Sequence, residues 1–141
     1  MVRSFAALVA LAGLAACAPS IQPEAAPDIV GVWRLSELRA VDGTATVPPP
    51  DVPYEIRFAA DGVASLRVDC NRATARWGST SPNRSGQIGF EARSMTEAFC
   101  GEGSLDTRIV RQLPGLTRFS IRRDVLTLEG GEGAQVWVRD Q

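Results

Sequence analysis

The sequence predicts a mainly β domain with one helix (α+β), arranged as a small antiparallel β-barrel or sandwich. Three observations lead there. Apolar residues alternate with polar ones over short runs that recur from Val30 to Val138. Asp61-Gly62 stands between two such runs, and that dipeptide is a strong short-range hairpin signal. One segment only, Ser104 to Leu113, spaces its apolar residues as a helix does. Short strands at this density with a single helix argue against a βαβ protein.

Each element has its own residues. Val30, Val32, Leu35 and Leu38 predict a first strand, bent after Trp33. Asp42-Gly43 predicts a turn. Pro48-Pro49-Pro50-Asp51-Val52-Pro53 predicts a loop, because proline fixes φ and removes backbone donors. Tyr54, Ile56 and Phe58 alternate with Glu55 and Arg57, and Val63, Leu66 and Val68 continue on the return. Between them Asp61-Gly62 is expected to make a primed turn, where glycine accepts positive φ. A further strand is expected from Ala73 to Trp77. The stretch Gly78 to Gly86, rich in Ser, Pro, Asn and Gly, is expected to be a surface loop. Ile88, Phe90 and Ala92 predict the next half-buried strand.

Leu105, Ile109, Val110 and Leu113 then fall at i, i+4, i+5 and i+8, the helical period. Ser104 is positioned to act as N-cap. Asp106 lies near the start and Arg108 and Arg111 later, the placement that the helix dipole favours. Pro114-Gly115 ends the segment. Phe119 and Ile121 form one strand and Val125, Leu126 and Leu128 another, before the turn Gly130-Gly131-Glu132-Gly133. Val136 and Val138 close the domain, with Trp137 on the opposite face. No internal repeat is evident.

The first residues carry an address. Arg3 supplies a positive n-region, Phe5 to Ala12 an apolar stretch, and Ala15-Ala16 the small residues before a cut, which are the parts of a secretory signal. The apolar run is shorter than the ~20 residues a membrane-spanning helix needs. Leu14-Ala15-Ala16-Cys17 resembles a bacterial lipobox, which implies that Cys17 becomes the first mature residue and carries lipid. An ordinary cleaved signal peptide is the alternative. Residues 1–16 are thus expected to be the signal peptide, 17–29 a Pro-rich tether holding Pro19, Pro23 and Pro27, and 30–141 one domain. Ala18, not aspartate, follows the lipid cysteine. By resemblance to the enterobacterial sorting rule this implies the outer membrane, facing the periplasm.

Composition excludes several classes of function. The chain of 141 residues has a net charge of −1, and all its basic residues are arginine. That balance leaves no electrostatic footprint for nucleic acid. There is no histidine, which removes the commonest general base, the Ser-His-Asp triad and the usual metal ligand. With Cys17 assigned to lipid, Cys70 and Cys100 remain. An even pair in an exported chain reads as a disulfide, with two free buried thiols as the alternative. Two thiolates without histidine are too few ligands for zinc.

The order of several short signals resembles the META domain, or HslJ-like, family. These are Gly31-Val32-Trp33-Arg34-Leu35, the Asp61-Gly62 hairpin, Cys70-Asn71-Arg72, and Thr96-Glu97-Ala98-Phe99-Cys100 followed by a helix and a last apolar hairpin. The likeness covers residues 30–139. It departs at Asp69, where the family has Gly, at Ala98 and Phe99 before Cys100, and at Ala75 and Trp77. The resemblance implies a β-barrel of lipocalin-like topology with one helix, found in small envelope lipoproteins, some of them stress-related. It implies no catalytic residues and no cofactor.

Four constellations remain as candidate sites. A Cys70–Cys100 bridge would gather Asp69, Asn71, Arg72, Thr96 and Glu97. Asp69 and Glu97 could then form a carboxylate pair for acid–base work, although an Asp69–Arg72 ion pair and turn hydrogen bonds account for the same residues. Arg122-Arg123-Asp124 suits a polar hairpin tip as well as an anion site. Trp33, Trp77 and Trp137 either line a ligand cavity or pack the barrel. Asn83-Arg84-Ser85 matches a glycosylation acceptor by chance. The sequence therefore predicts a non-enzymatic, lipid-anchored envelope protein with a binding or stress-related structural role. Its expected partners are the membrane and an envelope protein or small-molecule ligand, with no nucleic acid and no metal. A lipocalin-like carrier or an inhibitor of a periplasmic enzyme is the alternative.

Overall fold

The computed structural model describes residues 27–141, so Cys17 and the expected signal peptide lie outside the described residues. Nine strands form one antiparallel sheet: β1 (Gly31–Arg39), β2 (Ala45–Thr46), β3 (Tyr54–Phe58), β4 (Val63–Val68), β5 (Asn71–Ser79), β6 (Ser85–Met95), β7 (Leu116–Arg122), β8 (Val125–Gly130) and β9 (Gly133–Arg139). Neighbours follow chain order almost throughout, and β9 returns to pair with β1. Eight strands thus close an up-and-down barrel, while the two-residue β2 borders the far half of β1 beyond β3. Closure removes free sheet edges along most of the wall. The bend foreseen in β1 is a bulge between Leu35 and Glu37 against β9, where one extra residue turns the strand.

Turn chemistry sets the hairpins, with one correction. Ala40-Val41-Asp42-Gly43 and Ala59-Ala60-Asp61-Gly62 form the same four-residue turn. In each the glycine N–H donates to the alanine carbonyl, and the aspartate carboxylate accepts the N–H two residues on. Only the glycine is at positive φ, 88° at Gly43 and 83° at Gly62. A primed turn needs positive φ at one or both central residues, and Val41-Asp42 and Ala60-Asp61 have it at neither, so Asp-Gly marks the place of the turn but not its type. At the β4–β5 hairpin the register brings Val68 opposite Asn71, leaving Asp69 and Cys70 between them. Asp69 has φ 60°, a conformation glycine takes freely and aspartate tolerates.

Among the described residues one short helix, α1 (Asp106–Gln112), continues as a 3-10 turn, Leu113–Gly115, between β6 and β7. It begins one residue later than expected, and Leu105 rather than Ser104 is the N-cap residue. Ile109, Val110 and Leu113 turn into the core and cover one end of the barrel. At the opposite end the chain enters at Pro27 to Ile29, beside the β5–β6 loop, where Asp28 N–H donates to Pro82. Ile29 is fully buried and its carbonyl accepts Trp33 Nε1 at 2.8 Å. The packed domain therefore starts ahead of Val30. Arg139 clamps this end. Its guanidinium lies 4.1 Å from the Trp33 ring centre and donates to the carbonyls of Asp28 and Val30.

The barrel interior is filled. Trp33, Tyr54, Phe58 and Trp137 are the largest fully buried side chains, packed with Leu38, Ile56, Leu126 and Leu128. Trp77 sits at the rim, edge-on to Phe58, with Nε1 donating to Ala59. All three tryptophans thus pack or edge the core. The faces of β9 are the reverse of those expected. Trp137 pairs with Leu35 and Leu126 and points inward with Gln135, whereas Val136 lies outside the core cluster. The largest apolar area wins the interior. Every buried residue among the described ones lies between Ile29 and Trp137, so the domain holds its own core.

Candidate functional site

The helix-covered end carries the densest polar chemistry. Cys70, in the β4–β5 turn, is joined to Cys100 by a disulfide, with Cα atoms 5.5 Å apart. The bridge pins the segment Thr96 to Cys100 beside the start of β5. Asn71 then organises it. Its Nδ2 donates to the Ala98 carbonyl at 2.8 Å and to Asp106 Oδ2 at 2.7 Å, while its Oδ1 accepts from Thr96 Oγ1 at 2.8 Å and Ala98 N–H at 2.9 Å. At 1% exposure Asn71 is a fully satisfied buried amide. One side chain ties β5, the 96–100 segment and the helix start together.

The ends of α1 are satisfied from the barrel. Tyr54 Oη accepts Leu105 N–H at 3.0 Å, Ser104 Oγ accepts Asp106 N–H at 3.4 Å, and Asp106 Oδ1 accepts Thr107 N–H at 2.6 Å. These meet the orphan donors of a helix start. At the other end Leu113 N–H bonds to Val110 rather than Ile109, tightening the last turn. The Ile109 carbonyl so freed accepts from buried Gln135 Nε2 at 3.0 Å. Gln135 Oε1 and Trp137 Nε1 have no partner among the described residues.

The acid of the cluster is Asp106, which sequence reasoning placed only as a first-turn residue. Asp69 and Glu97 do not pair. The Asp69 carboxylate meets Tyr54 Oη at 3.5 Å, and Glu97 is exposed on the loop. Nor do Asp69 and Arg72 form an ion pair among the described residues. Arg72 instead uses its backbone, accepting Thr96 N–H and donating to Thr96 Oγ1. Asp69, Cys70 and Cys100 bring ligand atoms within 4.8 Å of one another. Both sulfurs are spent in the disulfide, so this set does not suit a metal. Arg122 ends β7 opposite Val125, Arg123 and Asp124 form the β7–β8 tip with Arg123 at positive φ, and Arg84 Nη2 donates to the Arg123 carbonyl. That arrangement is a hairpin tip.

Burial raises the Asp106 carboxyl, but hydrogen bonds from the Thr107 backbone and from the Asn71, Ser104 and Thr107 side chains outweigh it and hold the group below its ordinary range. A carboxyl depressed in the folded state gives stability that is full above its unfolded value, about pH 4, and is lost as pH falls through the folded value. Asp106→Asn is therefore expected to flatten the fall in stability below about pH 4, read from urea midpoints across pH.

A surface cleft of about 540 Å³ opens between the 97–99 loop and α1, lined by Met95, Ala98, Phe99, Thr107 and Arg111 among others. Phe99 is 86% exposed, although its neighbours are held by the disulfide and by Asn71. An exposed aromatic at a cleft rim is the kind of side chain that anchors a contact. The arrangement can bind; it presents no nucleophile–base pair and no convergent acids.

The META domain family model matches residues 28–141. Among solved structures, the chain is similar to a DUF4847 family protein from Bacteroides vulgatus, with a TM-score of 0.59 and 12% identity over 80% of this chain and 94% of that one. At that identity the likeness concerns the fold alone. No curated protein matches the sequence significantly.

Proposed function

The chain belongs to the META domain family, and on that premise we propose that it is a lipid-anchored envelope protein that acts by binding rather than by catalysis. The observation that carries this reading is the packed barrel: with Trp33, Tyr54, Phe58 and Trp137 filling the interior, recognition falls to the outer surface. A lipocalin-like carrier would need a lumen at those positions. The braced helix end, with Phe99 exposed beside the disulfide, is the surface best built for a partner in the envelope. It lies opposite the end where the chain enters the barrel. A tether from Cys17 would therefore leave it open to a partner in the periplasm, which on the sorting argument is the compartment the anchored chain faces.

The test is covalent. Cells fed labelled palmitate are expected to mark the wild-type chain and to leave Cys17→Ala unlabelled. Equal labelling of both, or none of the wild type, overturns the anchor.

A further inference from the structure

The outer wall over β3, β4 and β5 carries charges that stability does not explain. The register sets Arg67 directly opposite Arg72, and like charges so placed destabilise an antiparallel pair. On the next rung Arg57 faces Ser65, Ser65 faces Thr74, and Thr74 faces Ser94, with the last two hydroxyls 2.7 Å apart. Arg72 and Arg76 stand two residues either side of Thr74, and residues two apart share a face. A row of hydroxyls is thus bordered by four exposed guanidinium groups.

Two acids face these four arginines and offset only part of their charge. Glu55 faces Arg67 and Glu91 faces Arg76, but Glu91 is held by Arg93 at 2.9 Å. None of Arg57, Arg67, Arg72 and Arg76 forms an ion pair among the described residues. The chain as a whole is net acidic, so this cluster is local and not a consequence of a basic composition.

We infer that this wall docks on a membrane surface of anionic, phosphate-bearing lipid headgroups. Guanidinium groups bind phosphate oxygens in pairs, and the hydroxyls add donors between them. A sheet wall sets its arginines side by side instead of converging on a point, which suits an array of phosphates better than one enclosed anion. The ten residues from Cys17 to Pro27 span at most about 35 Å, enough for the barrel to lie on its side. That reach rests on the lipid-anchor reading, whereas the charge argument does not.

The experiment therefore uses the chain from Ala18 onward, which lacks the lipid site and keeps the whole packed domain. It is sedimented with vesicles rich in phosphatidylglycerol and with vesicles of phosphatidylcholine alone. Binding to the first only, weakened by salt, is expected. Arg67→Gln with Arg72→Gln should lower the partition coefficient about thirtyfold without lowering Tm. Equal binding to both vesicles, no binding, or binding unmoved by the double substitution overturns the inference. So does protection of Tm by inorganic phosphate or by an acidic protein without vesicle binding. A failed palmitate label would overturn the anchor alone and leave this result standing.

Discussion

Asn71→Ala is expected to destabilise the domain by about 3 kcal/mol. The amide makes four short hydrogen bonds, and its loss strips Asp106 of a buried donor and Ala98 of both backbone partners. An unsatisfied buried group costs more than an average hydrogen bond is worth, and a charged one costs most. In a domain of this size that corresponds to a fall in Tm of about 10–15 °C, measured by thermal unfolding at neutral pH. Asn71→Asp distinguishes lost contacts from electrostatics. The new carboxyl would stand where Nδ2 now lies 2.7 Å from Asp106 Oδ2, so its folded pKa must rise. Its penalty is then expected to shrink as pH falls from 7 towards 5, whereas that of Asn71→Ala stays constant over the same window. A pH-independent Asn71→Asp would mean that the two side chains do not share a buried site.

Removing the disulfide has a comparable effect by a different route. Cys70 and Cys100 are 30 residues apart, and releasing a loop of that length frees about 3–4 kcal/mol of unfolded-state entropy in the chain model. Cys70→Ala with Cys100→Ala, or the wild type under reductant, should lower Tm by about 10–20 °C. The two perturbations act on one segment, since Asn71 and the bridge both hold residues 96–100. Their costs should therefore fall short of additivity: once the bridge is gone, part of what Asn71 holds is already loose. Full additivity would show that the bridge and the amide stabilise separate parts of the domain.

Local patterns in the chain were legible to different depths. The β3–β4 hairpin and the strands β7 to β9 followed from alternation. The helix followed from the spacing of Leu105, Ile109, Val110 and Leu113. Boundaries were harder: Ser104 Oγ does accept the Asp106 N–H, yet the helix starts one residue later than that cap implies, with Tyr54 of β3 accepting the Leu105 N–H. The face of β9 was misjudged because two valines outweigh one tryptophan in a pattern but not in buried area. Asp106 was visible only as a helix-start acid, since its partner Asn71 is 35 residues away in sequence. Asp42-Gly43 and Asp61-Gly62 announced turns, and only the neighbouring φ values decided their type.

The amino-acid sequence by itself determined what depends on neighbours along the chain: the β-rich class, the turn positions, the one amphipathic helix, and a family likeness carried by the order of short signals. The tertiary structure alone decided the pairing of β9 with β1, the filling of the barrel, the convergence on Asn71, and the alignment of Arg67 with Arg72. Each of these joins residues on different strands, and none leaves a mark in the residues beside it. Register and closure are settled by the energy of the whole packed sheet, which no local window of sequence contains.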